Sequence, residues 1–165
     1  MHVESDVEKA EGAQGDGDAV ESFELIPDDV LALVLRNIPG ARAPLAGPHR
    51  WHVLVEAASA AEPVERALAG AIAAGEVEDA AIAASEAQAA ALWHLRESMS
   101  EAERLDGIAA KHDVSVPVAA MPRFIGEARA AVERAFPDSR VLAFGHLGDG
   151  NVHFNVRAPA EGDGA

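Results

Sequence analysis

The feature that most constrains the fold is a strongly patterned segment near one end of the 165-residue chain, RVLAFGHLGDGNVHFNV at 140–156. Two largely apolar runs flank a glycine-rich centre, and the dipeptide Asp149-Gly150 is among the strongest signals for a two-residue β-turn. The segment therefore predicts an antiparallel hairpin. A two-residue turn would place His146 directly opposite His153, and directly opposed residues share one face of a hairpin.

The remaining sequence alternates between predicted strands and helices. Strands are predicted at residues 22–26, 51–57, 78–84, 112–118, 140–146 and 151–156, and helices at residues 28–38, about 60–74, about 85–105 and 122–136. Two capping boxes, Ser59 with Glu62 and Ser85 with Gln88, mark helix starts. The apolar stripe of the last helix is predicted to comprise Phe124, Ile125, Ala128, Val132 and Phe136. Short strands with hairpin-like returns predict an α+β fold, an antiparallel sheet with helices packed mainly on one face.

Length and composition predict one folded domain. Residues 1–19 are rich in Gly, Asp and Glu and hold few large hydrophobic residues, so we expect this segment to be disordered. Residues 20–158 form the predicted domain, and residues 159–165 read as a polar tail. Because the chain closes on a strand and then trails off, we expect it to be truncated.

Charge and residue usage exclude several classes of function. Acidic residues outnumber basic ones 28 to 13, giving a net charge of −15, which argues against nucleic acid or an anionic membrane as a partner. With no cysteine, disulfides, zinc knuckles and thiol catalysis are excluded, so a metal would need His, Asp or Glu ligands. The sequence holds neither a run of about 20 apolar residues nor a signal-peptide core, and we expect a cytoplasmic protein.

The two histidines of the hairpin have two interpretations at the level of residues alone. They could converge on one metal ion, or they could be surface residues that happen to flank a turn. Catalytic zinc usually has three protein ligands, and no third ligand is obvious nearby, so the pair alone favours the second interpretation. The period of two along a strand puts Asn155 on the same face as His153.

Two cationic side chains are candidates for binding an acid. Arg96 and Ser100 are four residues apart and would share a helix face, and Lys111 precedes a predicted strand. Arginine can hold a carboxylate through two hydrogen bonds, whereas lysine offers a point charge. The alternatives are a salt bridge from Arg96 to Glu97 or Glu103 and a solvated loop charge at Lys111.

Three segments in this order resemble one known family: LWHLRESMSEA at 92–102, KHDVSVPVAAMPRF at 111–124 and FGHLGDGNVHFNV at 144–156. They look like the C-terminal domain of the FAD-linked oxidases, which include D-lactate dehydrogenases, the FAD subunit of glycolate oxidase and D-2-hydroxyglutarate dehydrogenase. The resemblance covers roughly residues 22–156.

The resemblance implies a site for a small 2-hydroxy acid. By analogy, Arg96 and Lys111 bind its carboxylate, while Ser100 stands where some relatives have a substrate-contacting threonine. Asn155 would contact the substrate or order the site. His146 and His153 would ligate a divalent metal, most simply zinc. Metal binding would lower the pKa of the substrate hydroxyl, and hydride would pass from C2 to FAD.

The sequence also departs from the family pattern. The family's third metal ligand and candidate base lie in a later Glu-His-Gly motif, and its FAD is bound mainly by a preceding domain; neither has a counterpart here. The resemblance therefore implies part of an FAD-dependent 2-hydroxyacid dehydrogenase or oxidase, inactive alone and completed by a separate FAD-domain chain if at all. The alternatives are a non-catalytic metal- or acid-binding module or subunit, and an inactive remnant.

Overall fold

The computed structural model describes residues 20–58 and 61–158. The predicted disordered segment 1–19, the predicted tail 159–165 and Ser59 of the first capping box lie outside the described residues. The strands are β1 (Val20–Pro27), β2 (Trp51–Ala57), β3 (Ala109–Ser115), β4 (Arg140–His146) and β5 (Asn151–Arg157). The helices are α1 (Asp28–Asn37), α2 (Ala61–Ala73), α3 (Glu86–Glu97), α4 (Met99–Asp106) and α5 (Met121–Ala135), with a 3₁₀ turn at Val118–Ala120.

All five strands form one antiparallel sheet in the order β2-β1-β4-β5-β3. β4 is the central strand of the sheet. β5 lies next to β4 and forms the last hairpin with it, and β3 pairs with the outer side of β5. β1 pairs with β2 on one side and with β4 on the other. The predicted α+β class is therefore confirmed.

A hydrophobic core lies on each face of the sheet, as alternate residues of β4 show. Leu142 and Phe144 pack with buried residues of α1, α3 and α4, whereas Val141 and Ala143 pack with α5. Three helices therefore cover the first face and α5 covers the second, which confirms that helices lie mainly on one face. We call the face of the sheet that carries Leu142 and Phe144 the α4 face.

Local chemistry accounts for the starts of two helices. α1 follows Pro27, whose extended backbone ends β1, and Asp28 and Asp29 put negative charge at the positive end of the helix dipole. At α3 the side chain of Ser85 accepts the backbone N–H of Gln88, which is one half of the second predicted capping box, while the Gln88 side chain accepts the N–H of Ala84 rather than that of Ser85. Among the described residues, no helix is long and apolar enough to cross a membrane.

Three predictions of secondary structure were wrong, and the strand predicted at 112–118 is shifted to Ala109–Ser115. Residues 78–84 form no strand; the segment has a single large hydrophobic residue, Ile82, which is 46% exposed and gives a strand nothing to bury. The predicted helix at 85–105 is interrupted at Ser98, whose ψ of −5° departs from the helical value. Phe136 leaves the apolar stripe because α5 ends at Ala135, and its side chain is 64% exposed.

Candidate functional site

The turn between β4 and β5 is longer than the sequence predicted. Leu147–Gly150 form a four-residue turn, so His146 pairs with Asn151, and His153 pairs with Phe144. The predicted direct opposition of His146 and His153 is therefore wrong. The reason is Leu147: its N–H donates to the Phe23 carbonyl at 2.8 Å and its side chain is buried, so the residue leaves the hairpin ladder.

The two histidines nevertheless lie side by side on the α4 face. A diagonal relation across antiparallel strands still keeps two side chains on one face. The imidazole centroids of His146 and His153 are 5.5 Å apart, with their planes at 76°. The ring of Phe144, on β4, packs against the imidazole of His153, with centroids 5.1 Å apart.

Each imidazole is held by a carboxylate through Nδ1. His146 Nδ1 lies 2.7 Å from Glu24 Oε1, and His153 Nδ1 lies 2.5 Å from Asp113 Oδ1. An ionised carboxylate only accepts hydrogen bonds, so Nδ1 of each ring carries the proton and donates it. In a neutral imidazole Nε2 is then left with a free lone pair. Metal-ligating histidines generally have this arrangement, with the other ring nitrogen donating to an oxygen acceptor.

Glu24 also binds the first predicted anion-binding residue. Arg96 Nε donates to Glu24 Oε2 at 2.8 Å, and Ser22 Oγ donates to Oε1 at 3.0 Å. The guanidinium carbon lies 5.4 Å from the centroid of the Phe144 ring. Arg96 thus forms the salt bridge considered from the sequence, but its partner is Glu24 rather than Glu97 or Glu103.

The pKa of Glu24 reflects these contacts. Burial by itself raises the pKa of this carboxyl, but hydrogen bonds from His146, Arg96 and Ser22, together with the positive charge of Arg96, outweigh burial. The net result is a pKa below the ordinary value of 4.5. Glu24 is therefore ionised at neutral pH, although only 4% of the residue is exposed.

A second buried carboxylate, Glu103 of α4, holds two further predicted residues, Asn155 and Lys111. Its Oε2 accepts from Asn155 Nδ2 at 2.9 Å and lies 3.2 Å from Lys111 Nζ. Glu103 is 1% exposed, and its Oε1 has no hydrogen-bond partner within the described part of the chain. Lys111 lies on β3, directly across from Asn155 on β5, rather than in a loop, although its side chain is 55% exposed.

Ser100 is the predicted site residue with the weakest connection to this cluster. It is exposed and lies in α4, beyond the interruption at Ser98, whereas Arg96 lies in α3. The four-residue spacing therefore does not run along one continuous helix.

Three acidic residues of the site were missed from the sequence: Glu24, Glu103 and Asp113. Only Glu24 carried a visible signal, because it interrupts the apolar strand SFELI with a charge. Asp113 ends a run of three polar residues, Lys111 to Asp113, and nothing in that run marks it as the partner of a histidine. Glu103 was considered only as an alternative partner for Arg96.

The described residues offer a cation two imidazole nitrogens and no complete ligand set. Within residues 20–58 and 61–158, no group of three or more His, Asp or Glu side chains is placed to hold a metal ion. The Nε2 atoms of His146 and His153 fit two positions of a zinc-type site in their chemistry, and the remaining positions would need other donors.

Comparison with known proteins agrees with the three sequence segments. A family profile described as FAD linked oxidases, C-terminal domain, matches residues 3–164. A D-2-hydroxyglutarate dehydrogenase of Xanthomonas citri pv. viticola is 43% identical over 145 residues, covering 85% of this chain and 30% of that protein. One of Stutzerimonas stutzeri is 37% identical over 144 residues, covering 84% and 30%. The mitochondrial enzyme of Arabidopsis thaliana is 30% identical over 152 residues, covering 89% and 27%. The chain thus spans less than a third of the length of these relatives.

Proposed function

This chain belongs to the family of C-terminal domains of FAD-linked oxidases, and from that premise we propose that it forms the substrate- and metal-binding part of an FAD-dependent 2-hydroxyacid dehydrogenase. The names of the relatives make D-2-hydroxyglutarate the first substrate to test. In this proposal FAD is held by another domain or a separate chain, since we assign no described residue to the flavin.

The observation that carries the proposal is the pair of oriented imidazoles. His146 and His153 lie on one face with ring centroids 5.5 Å apart. Each has Nδ1 bound to a carboxylate, which leaves Nε2 as the donor atom. Surface histidines that merely flank a turn would have no reason to be fixed in the same tautomer on the same face. Imidazole nitrogen suits zinc, and we propose zinc as the metal.

The charges around the pair support a divalent cation. Two cationic side chains, Arg96 and Lys111, face three carboxylates, those of Glu24, Glu103 and Asp113. With neutral imidazoles the cluster is net negative, which disfavours an anionic substrate. A divalent metal at the histidines would make the net charge of the cluster positive and so allow an acid to bind.

We assign the acid's carboxylate to Arg96. The hydrogen bond to Glu24 uses Nε, so the Nη1/Nη2 edge is the part of the guanidinium fork that can hold a carboxylate through two bonds. Lys111, on β3, would hold a second carboxylate, as a dicarboxylic acid requires. Asn155, fixed by Glu103, would order this side of the site, and Ser100 would contact substrate only if α4 approaches it.

The chain's residues then divide the chemistry in a simple way. Arg96 and Lys111 would bind and orient the acid, and His146 and His153 would hold the metal. When bound, the metal would supply Lewis acidity that lowers the pKa of the substrate hydroxyl, and FAD would supply the hydride acceptor. We do not assign the role of the base that takes the hydroxyl proton to any described residue.

Zinc binding to the purified chain tests the proposal. Isothermal titration calorimetry should show one zinc site that is lost in both His146→Ala and His153→Ala. His94→Ala is the control, since this histidine lies on α3, is exposed and has its Nδ1 3.4 Å from Ser98 Oγ. Addition of D-2-hydroxyglutarate to the zinc-loaded chain should show binding that is absent without zinc. Zinc binding that survives both hairpin substitutions would refute the site.

A second candidate function is a stand-alone metal- or acid-binding module. The incomplete ligand set favours it, because two imidazoles alone bind a metal without completing a catalytic site. Co-purification of bound FAD with a co-expressed flavin-domain chain would decide for the dehydrogenase.

The compartment stays a prediction: we expect the cytoplasm, while the Arabidopsis relative is named as mitochondrial.

A further inference from the structure

We propose that Glu24 is the positioning residue of the site: its single carboxylate sets both the direction of the Arg96 guanidinium and the tautomer of His146. The inference rests on the proposed function and extends it to a residue that lies outside the three recognisable segments. Glu24 would touch neither the acid nor the metal and would act through its two partners.

The geometry uses both oxygens of Glu24. Oε2 accepts from Arg96 Nε at 2.8 Å, and Oε1 accepts from His146 Nδ1 at 2.7 Å. The two partners come from α3 and β4, so one side chain of β1 connects the anion-binding element to the hairpin. With a side chain only 6% exposed, Glu24 has little room to adopt another rotamer.

The direction of the His146 hydrogen bond has a chemical consequence. A carboxylate cannot donate, so it selects the tautomer with the proton on Nδ1 and the lone pair on Nε2. The His146 side chain is 42% exposed, so solvent and ligands can reach the imidazole. Glu24 would therefore prepare His146 to accept a metal before any metal arrives.

A purely structural ion pair accounts poorly for this arrangement. A carboxylate in an otherwise apolar strand position pays a desolvation cost that pairing with one arginine often only balances. An apolar residue between Phe23 and Leu25 would pack in the same position without that cost. An apolar residue could replace neither the pairing with Arg96, whose side chain is 11% exposed, nor the directional contact with His146.

Glu24→Gln tests whether the carboxylate sets the tautomer, because glutamine has nearly the same shape as glutamate but carries one oxygen and one NH₂ group. Arg96 Nε can only donate, so it keeps the oxygen, and the NH₂ group is left to face His146 Nδ1. Nδ1 must then accept, and the ring proton moves to Nε2, from which it must be displaced before a metal can bind. Glu21→Gln is the matched control, since Glu21 lies on the same strand and is exposed.

Long-range proton–nitrogen NMR of the full chain, at about pH 8.5 where a free imidazole is neutral, reports which ring nitrogen carries the proton. We expect Nδ1–H for His146 in the unsubstituted chain and in Glu21→Gln, and Nε2–H in Glu24→Gln. Zinc affinity, measured by calorimetry, should fall about 10- to 100-fold in Glu24→Gln, the range for loss of a ligand-orienting partner.

The outcomes separate this inference from the proposed function. A proton on Nε2 of His146 in the unsubstituted chain overturns the role of Glu24, and this measurement needs no variant to fold. Unchanged tautomer and zinc affinity in a folded Glu24→Gln chain overturn it as well. If the unsubstituted chain shows the expected tautomer but binds no zinc through His146, the proposed function fails while the positioning contact stands.

Discussion

Gly150→Ala should destabilise the chain strongly, because the turn that presents the two histidines has no space for a methyl group at this position. Gly150 has φ of 74°, a conformation that costs a residue with Cβ about 1–3 kcal/mol. A Cβ placed there would lie 1.9 Å from the carbonyl oxygen of Val116. Because that contact is with backbone, the segment after β3 must move and strain the 3.0 Å hydrogen bond from Val116 N–H to the Gly150 carbonyl. Loss of such a bond costs about 0.5–1.5 kcal/mol.

Together these effects predict a loss of about 2–4 kcal/mol in the free energy of unfolding. Urea denaturation followed by circular dichroism measures it. Gly148→Ala is the control within the same turn, since a Cβ at Gly148 meets nothing within 4 Å and should change stability by about 0.5 kcal/mol or less. A Gly150→Ala chain as stable as the Gly148→Ala chain would refute the reasoning.

The other predictions concern the acid site and the dependence of stability on pH. Arg96→Met should weaken binding of D-2-hydroxyglutarate to the zinc-loaded chain by about 1.5–3 kcal/mol, the loss of a charged hydrogen bond; equal affinity by calorimetry would exclude this role for Arg96. The free energy of unfolding should fall as pH drops below 4.5, because the pKa of Glu24 is lowered in the folded chain and the unfolded chain then binds the proton more readily. In urea titrations, Glu24→Gln should make the free energy of unfolding depend less on pH in this acidic range. Burial lowers the pKa of His52 below 6.5, so stability should also decline as pH falls below that value, and a His52→Gln chain with the same decline would contradict the assignment.

The parts of the fold that could be predicted from the sequence are those with strong local patterns. β4 and β5 have nearly the predicted bounds because their apolar residues alternate or run continuously, and the Ser85 cap marks the start of α3. The failures lie where local propensity was the only guide. The alanine-rich run at 78–84 has too little apolar surface to join a sheet, and nothing in the residues around Ser98 distinguishes an interrupted helix from a continuous one.

The site could be predicted only where chemistry and spacing coincide. The predicted residues that meet on the α4 face are cationic residues or potential metal ligands, and they lie within recognisable segments. They are Arg96, Lys111, His146 and His153. Glu24, the partner of Arg96 and His146, lies 72 residues from the first and 122 from the second in sequence. No local pattern connects such residues, because the contact exists only once β1 pairs with β4.

The parity of the hairpin turn explains why the histidines share a face although the predicted register was wrong. A two-residue turn would pair His146 with His153, whereas the observed four-residue turn pairs His146 with Asn151. Lengthening a hairpin turn by two residues shifts the pairing by two, and a shift of two along a strand leaves every side chain on its original face. A three-residue turn would have moved His153 to the α5 side of the sheet, away from Glu24 and Arg96. The convergence of the two imidazoles therefore depends on an even number of turn residues rather than on the turn type that the Asp-Gly dipeptide suggested.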